Sequence, residues 1–114
     1  MSVKLSTRQV GNVSVIDVAG RITLGEGAAA LRETLRDMVA KNQNKILLNL
    51  GDVTYIDSSG IGELVSAYTT VANTGGQLKL LNLNKRVKDL LQITKLYTVF
   101  EVKEDEADAI RSFA

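Results

Sequence analysis

The run Asp57-Ser58-Ser59-Gly60-Ile61-Gly62 sets a carboxylate, two adjacent hydroxyls and two glycines between an apolar stretch, Lys45 to Leu50, and an amphipathic helical pattern. It therefore reads as a strand, a short loop and a helix N-terminus. The first amides of a helix lack intrahelical partners, and the helix dipole is positive there, so negative charge is favoured. A hydroxyl at that place can cap the helix, the commoner use of Asp and Ser at such junctions. It can also accept a phosphoryl group. The two uses are compatible, because a phosphate can use the same amides that the hydroxyl capped. Phosphorylation would add about −1.5 to −2 charge beside Asp57 and Glu63 and change the surface without breaking the fold.

Other chemistries find less support. A dinucleotide-binding fingerprint starting at Gly60 and Gly62 would need a third glycine where Val65 stands, and the Gly-Lys-Ser/Thr of a P-loop is absent. Gly60 and Gly62 flank Ile61 rather than a serine, so they do not form a nucleophile elbow. Small residues here suit close packing of the helix start or room for a docking partner. Glu26, Asp52, Asp57 and Glu63 are candidates to converge near a strand end, but their spacing specifies no metal, and caps or surface positions explain them more cheaply. The cluster Lys85-Arg86-Val87-Lys88 reads as a solvated helix face, and Tyr55, Tyr68 and Tyr97 as core or rim.

Composition narrows the classes further. The chain has no His and no Cys, which removes a histidine triad, a thiol nucleophile, thiolate metal sites and disulfides. Charged residues make up 24% with a net of +1, unlike the basic excess of a general nucleic-acid binder. No apolar stretch approaches the roughly 20 residues of a membrane span, and Met1 to Lys4 lacks the apolar block of a secretion signal. A cytoplasmic location is expected. With 114 residues and 45% hydrophobic content, residues 1–114 suit one domain with a real core.

The elements that must position the junction follow from periodicity. Val3 to Gln9 and Val13 to Val18 predict a hairpin around Gly11-Asn12. Val13, Val15, Ile16 and Val18 break strict alternation, so the second strand is expected to be buried on both faces or bulged. Thr23-Leu24-Gly25-Glu26 fits a capping box with Thr23 as the cap of a first helix carrying Ala28, Leu31, Leu35, Met38 and Val39 on one face. The apolar Ile46 to Leu50 predicts a central strand covered on both faces. A second helix carries Ile61, Leu64, Val65, Tyr68, Val71 and Ala72 and ends at Gly75-Gly76. Gln77 to Leu83 predicts a strand, Asn84 the cap of a third helix, Thr98 to Val102 a last short strand, and Glu104 to Phe113 a terminal helix. The order β-β-α-β-α-β-α-β-α predicts an α/β fold, a small mixed sheet with a parallel core flanked by helices.

The Ile46 to Leu50 strand, Tyr55 to Gly62, Gly75-Gly76, and the Leu78 to Leu83 strand followed by Val87, Leu90 and Leu91 resemble the anti-sigma factor antagonist family of STAS domains over nearly the whole chain. The resemblance implies a sheet with helices on one side and a phosphorylation-controlled binding module, neither an enzyme nor a cofactor or metal protein. In that family the unphosphorylated protein binds an anti-sigma factor that is also a serine kinase, which frees a sigma factor. The kinase then phosphorylates the antagonist, and a serine phosphatase restores it. Carried over by position, Ser58 is the phospho-acceptor, Asp57 the carboxylate that shapes the loop, and Ser59, Gly60, Ile61 and Gly62 the start of the docking helix. Many family members carry Gly-Glu-Leu-Asp near the partner surface; Gly20-Arg21-Ile22-Thr23 stands here, which bears on the partner's identity. A STAS scaffold or transport-system subunit is the alternative, and a small-ligand binder a more distant one.

Overall fold

A computed structural model describes residues 3–113. Strands β1 (Val3–Val10) and β2 (Val13–Ile22) form an antiparallel hairpin, with Gly11 at φ 61° in the turn. Helix α1 (Glu26–Ala40) follows, then strand β3 (Lys45–Ile56), helix α2 (Ser58–Asn73), strand β4 (Gln77–Leu81) and helix α3 (Lys85–Ile93). A single 3-10 turn (Leu96–Thr98), strand β5 (Val102–Lys103) and helix α4 (Glu106–Arg111) complete the chain. The sheet order is β1-β2-β3-β4-β5, with every pairing after the first parallel. The mixed sheet with a parallel core is as the alternation of elements predicts. No helix of the described residues is long and apolar enough to cross a membrane.

The broken alternation in β2 reflects both proposed causes. Ile16 and Val18 join the main core, while Val13 and Val15 face the other side, and the register with β3 shifts after Asp17. The main core lies between the sheet and α1, α2 and α3, which contribute Leu31, Leu35, Leu64, Val71, Val87 and Leu91. Leu48 and Leu80 are fully buried on that face and Leu47 and Leu81 on the reverse. Each such side chain contributes about 1.5–3 kcal/mol of transfer free energy.

Several local expectations shift. β3 runs past Leu50 to Ile56, so the junction motif begins inside the central strand. The expected strand at Thr98 to Val102 is instead the 3-10 turn followed by a two-residue strand, because only Val102 and Lys103 reach a register with β4. The terminal helix is shorter than Glu104 to Phe113, since Asp105 caps it by accepting from the Asp108 amide. Thr23 does not cap α1: Gly25, at φ 93°, occupies that place without a side-chain bond, and Thr23 supplies only its carbonyl to the Ala28 amide.

The helices are not all on one side. α4 crosses to the reverse face, where Ala109 and Phe113 cover Val13, Val15, Leu47 and Leu81. Lys79 fastens it: this side chain, 5% exposed, points to the reverse face and donates to the Ser112 carbonyl at 2.8 Å and its hydroxyl at 2.9 Å. Its ammonium also sits 4.8 Å from the Phe113 ring and 3.2 Å from Glu101. Arg8 ties the same helix to the hairpin through Asp17 and Glu106. Phe113→Ala is expected to cost about 3 kcal/mol in urea unfolding. Amide-exchange protection should drop in α4 first and leave α2 almost unchanged.

Candidate functional site

Asp57 holds the strand-to-helix junction together. As the cap of α2 it has extended backbone geometry, φ −107° and ψ −175°, and its Oδ1 accepts from the Gly60 amide at 2.9 Å. Its Oδ2 accepts from the Leu24 amide at 3.2 Å, and its own amide donates to the Ile22 carbonyl at 3.3 Å. One residue thus joins the end of β2, the turn before α1 and the first turn of α2. The Gly60 amide, and after it the Leu24 amide, hold the Asp57 carboxyl below the usual carboxylate range.

Because Asp57 caps the helix, Ser58 does not. It is the first residue of α2 and its side chain is exposed. Among the described residues no group bonds its hydroxyl. Ser59 beside it is half-buried. Both Asp57 carboxylate oxygens are engaged by backbone amides, those of Gly60 and Leu24, and neither bonds the Ser58 hydroxyl. The arrangement suits a hydroxyl that receives a group with the base supplied from outside. A phosphate there would meet the positive end of a 16-residue helix.

The remaining motif residues divide by depth. Gly60 is buried, and a Cβ on it would lie 2.2 Å from the Ile22 carbonyl oxygen and 2.6 Å from Ile56 Cγ1, so only glycine permits this approach. Ile61 is 4% exposed and belongs to the main core. Gly62 is exposed with nothing within 4 Å of an added Cβ, which leaves a flat patch on the helix beside Ser58. Of the other carboxylates, Glu63 is 8% exposed and pairs with Arg32 of α1 at 3.1 Å.

The structure adds a residue that pattern reading passed over. Leu24 is 78% exposed, and its amide is bound to Asp57, so an apolar side chain stands at the rim of the same junction. A large apolar residue between Thr23 and Gly25 in a turn was the available signal. Tyr55, expected in the core or rim, is half-buried, with the Arg21 guanidinium 4.7 Å and the Arg86 guanidinium 5.6 Å from its ring.

Two glycines two residues apart should respond with opposite signs. Gly60→Ala is expected to destabilise by about 1–3 kcal/mol through overpacking against β2, whereas Gly62→Ala should stabilise by about 1 kcal/mol through helix propensity. Thermal or urea unfolding of both variants checks this. Asp57→Ala should cost about 1 kcal/mol near neutral pH. Since the folded pKa of Asp57 is lowered, its contribution is fully present above the ordinary carboxylate value of about 4 and fades as pH falls through the folded value. The stability gap between wild type and Asp57→Ala should therefore close in acid.

A family model for the STAS domain matches residues 4–109. The anti-sigma-B factor antagonist of Bacillus subtilis (strain 168) is 32% identical over 102 residues, covering 90% of this chain and 92% of that protein. The fold is shared with the crystal structure of an anti-sigma factor antagonist from Mycobacterium paratuberculosis, with TM-score 0.87 and 20% identity over 97% of this chain and 93% of that one. It is also shared with the Bacillus cell fate determinant SpoIIAA in its phosphorylated form, with TM-score 0.75 and 19% identity over 95% of this chain and 97% of that one. The family match over residues 4–109, with a relative 32% identical over nearly the whole chain, places this protein in the STAS domain family, among the anti-sigma factor antagonists.

Proposed function

We propose that this anti-sigma factor antagonist binds an anti-sigma factor with serine kinase activity while Ser58 is unmodified, and so frees a sigma factor. Phosphorylation of Ser58 ends binding, and a serine phosphatase restores it. The chain is the substrate of that reaction and not its catalyst, and it works in the cytoplasm. The observation that carries the reading is the exposed, uncapped Ser58 hydroxyl beside an Asp57 already committed to the Gly60 and Leu24 amides.

The contact face consists of Ser58, half-buried Ser59, the open surface at Gly62 and the exposed Leu24, while Asp57, Gly60 and Ile61 hold that face from beneath. A partner packed on Leu24 and Gly62 would have to desolvate a phosphate on Ser58. An uncompensated buried charge costs several kcal/mol, and about 4 kcal/mol lowers affinity roughly a thousandfold. The fold survives the same modification because the helix N-terminus favours the charge.

The test uses wild type, Ser58→Ala and Ser58→Asp as baits in an extract of the source organism. Wild type and Ser58→Ala should capture a kinase-type regulator, and Ser58→Asp should lose it. Equal capture of the same partners by all three folded baits overturns the reading. In unfolding, Ser58→Asp should be more stable than wild type by about 0.3–1 kcal/mol, as an acidic residue in the first helical turn is, so its loss of binding will not be a loss of fold.

A further inference from the structure

Past the junction, the end of β3 and the flank of α3 leave a groove of roughly 610 Å³ whose lining includes Tyr55, Ile56, Arg86, Leu90 and Ile93. One of its lining residues, Ile56, immediately precedes Asp57 in sequence, so the groove lies at the end of the strand that leads into the junction. Its floor is apolar and open: Ile93 is 77% exposed and Leu90 half-buried, although α3 packs its Val87 and Leu91 into the core. Single exposed apolar residues need no explanation. Here the rim supplies one.

Arg21, from the end of β2, and Arg86, from α3, each lie against the Tyr55 ring, at 4.7 and 5.6 Å. Neither guanidinium meets a carboxylate among the described residues. The neighbouring cations differ. Lys85 is paired with Asp89 at 2.9 Å, and Lys88 with Glu104 at 3.2 Å. Arg86 lines the groove and Arg21 reaches the same Tyr55 ring, so two unneutralised guanidinium groups, steadied on an aromatic face, stand beside exposed aliphatic side chains. Planar guanidinium donors match carboxylates bidentately, and burial of the aliphatic floor needs an apolar counterpart.

We infer that this groove receives an acidic amphipathic segment of the protein partner, whose aliphatic side chains cover Leu90 and Ile93 and whose carboxylates pair with Arg21 and Arg86. The inference rests on the reading that a protein docks on the Ser58 face, and it names the chemistry of that partner's second contact. A nucleic-acid strand fits less well: phosphates would leave the exposed Ile93 uncovered, and a net charge of only +1 lacks the basic excess of such binders. Charge pairing at the rim selects the partner and speeds the encounter, while the apolar floor holds it.

The test is an amide NMR titration of the isotope-labelled full chain with two capped peptides. They share length and leucine positions, one carrying glutamates and the other lysines at the intervening sites. The glutamate peptide should move the Tyr55, Arg86, Leu90 and Ile93 signals and bind at least about tenfold more tightly than the lysine peptide. That preference should collapse in the Arg21→Gln/Arg86→Gln double variant. Ile93→Ser, at an exposed position that leaves the core intact, should weaken the glutamate peptide while the spectrum of the free protein stays native. Equal affinity for both peptides, binding to neither, shifts outside the groove, or tighter binding of a single-stranded oligonucleotide than of the glutamate peptide would each overturn the inference. Because the peptides do not probe Ser58, failure here is distinct from failure of the phosphorylation switch, which the three baits report.

Discussion

The start of α2 stands against the end of β2, and the approach is possible only because residue 60 has no side chain. A Cβ at Gly60 would sit 2.2 Å from the Ile22 carbonyl oxygen. That contact sets where the helix begins, and Asp57 secures it from both sides by accepting from Gly60 within the helix and from Leu24 in the turn opposite. Ser58 is exposed because these two neighbours are committed inward. If the capping role passed to Ser58, its hydroxyl would be engaged with the helix instead of standing free at the surface.

The same constraint separates the fold from the surface it presents. Ile61 and Leu64 continue from the junction straight into the core, where each is at most 4% exposed. Ser58 and Gly62 lie outward on the same helix. A charge placed on Ser58 therefore meets helix-end amides and solvent, not packed side chains, and the energetic consequence falls on whatever docks there. Charge is distributed in the same spirit. Arg8, Arg32, Lys79 and Lys88 are bound to carboxylates elsewhere in the fold and Lys85 to Asp89 of its own helix, whereas Arg21 and Arg86 rest on Tyr55 with their guanidinium edges free of carboxylates among the described residues.

Much of this was legible in order and type. Element order, the Asn84 cap and the helix stop before Gly75 follow from signals that act within a few residues, and here the tertiary structure leaves them in place. The junction serine was legible for the same reason, since a strand-to-helix transition rich in Asp, Ser and Gly is a local event. Less visible was which residue would take which task. Thr23 matches a capping box as well as many true caps do, yet the turn at Gly25 and the bond from Leu24 to Asp57 bypass it. The partner in that bond lies 33 residues away.

By itself the sequence determined that the chain folds as a mixed α/β sheet, that a hydroxyl pair opens its second helix, and that histidine and cysteine chemistry are excluded, because composition and short-range periodicity suffice for each. Only the tertiary structure decided that Asp57 and not serine caps α2, that Leu24 stands bare at the same rim, that α4 covers the reverse face through Lys79, and that Arg21 and Arg86 both rest on Tyr55. Each of these depends on groups brought together by parallel crossovers or by the sheet's register. Distances across such crossovers are set by packing of the whole core, which no local pattern encodes.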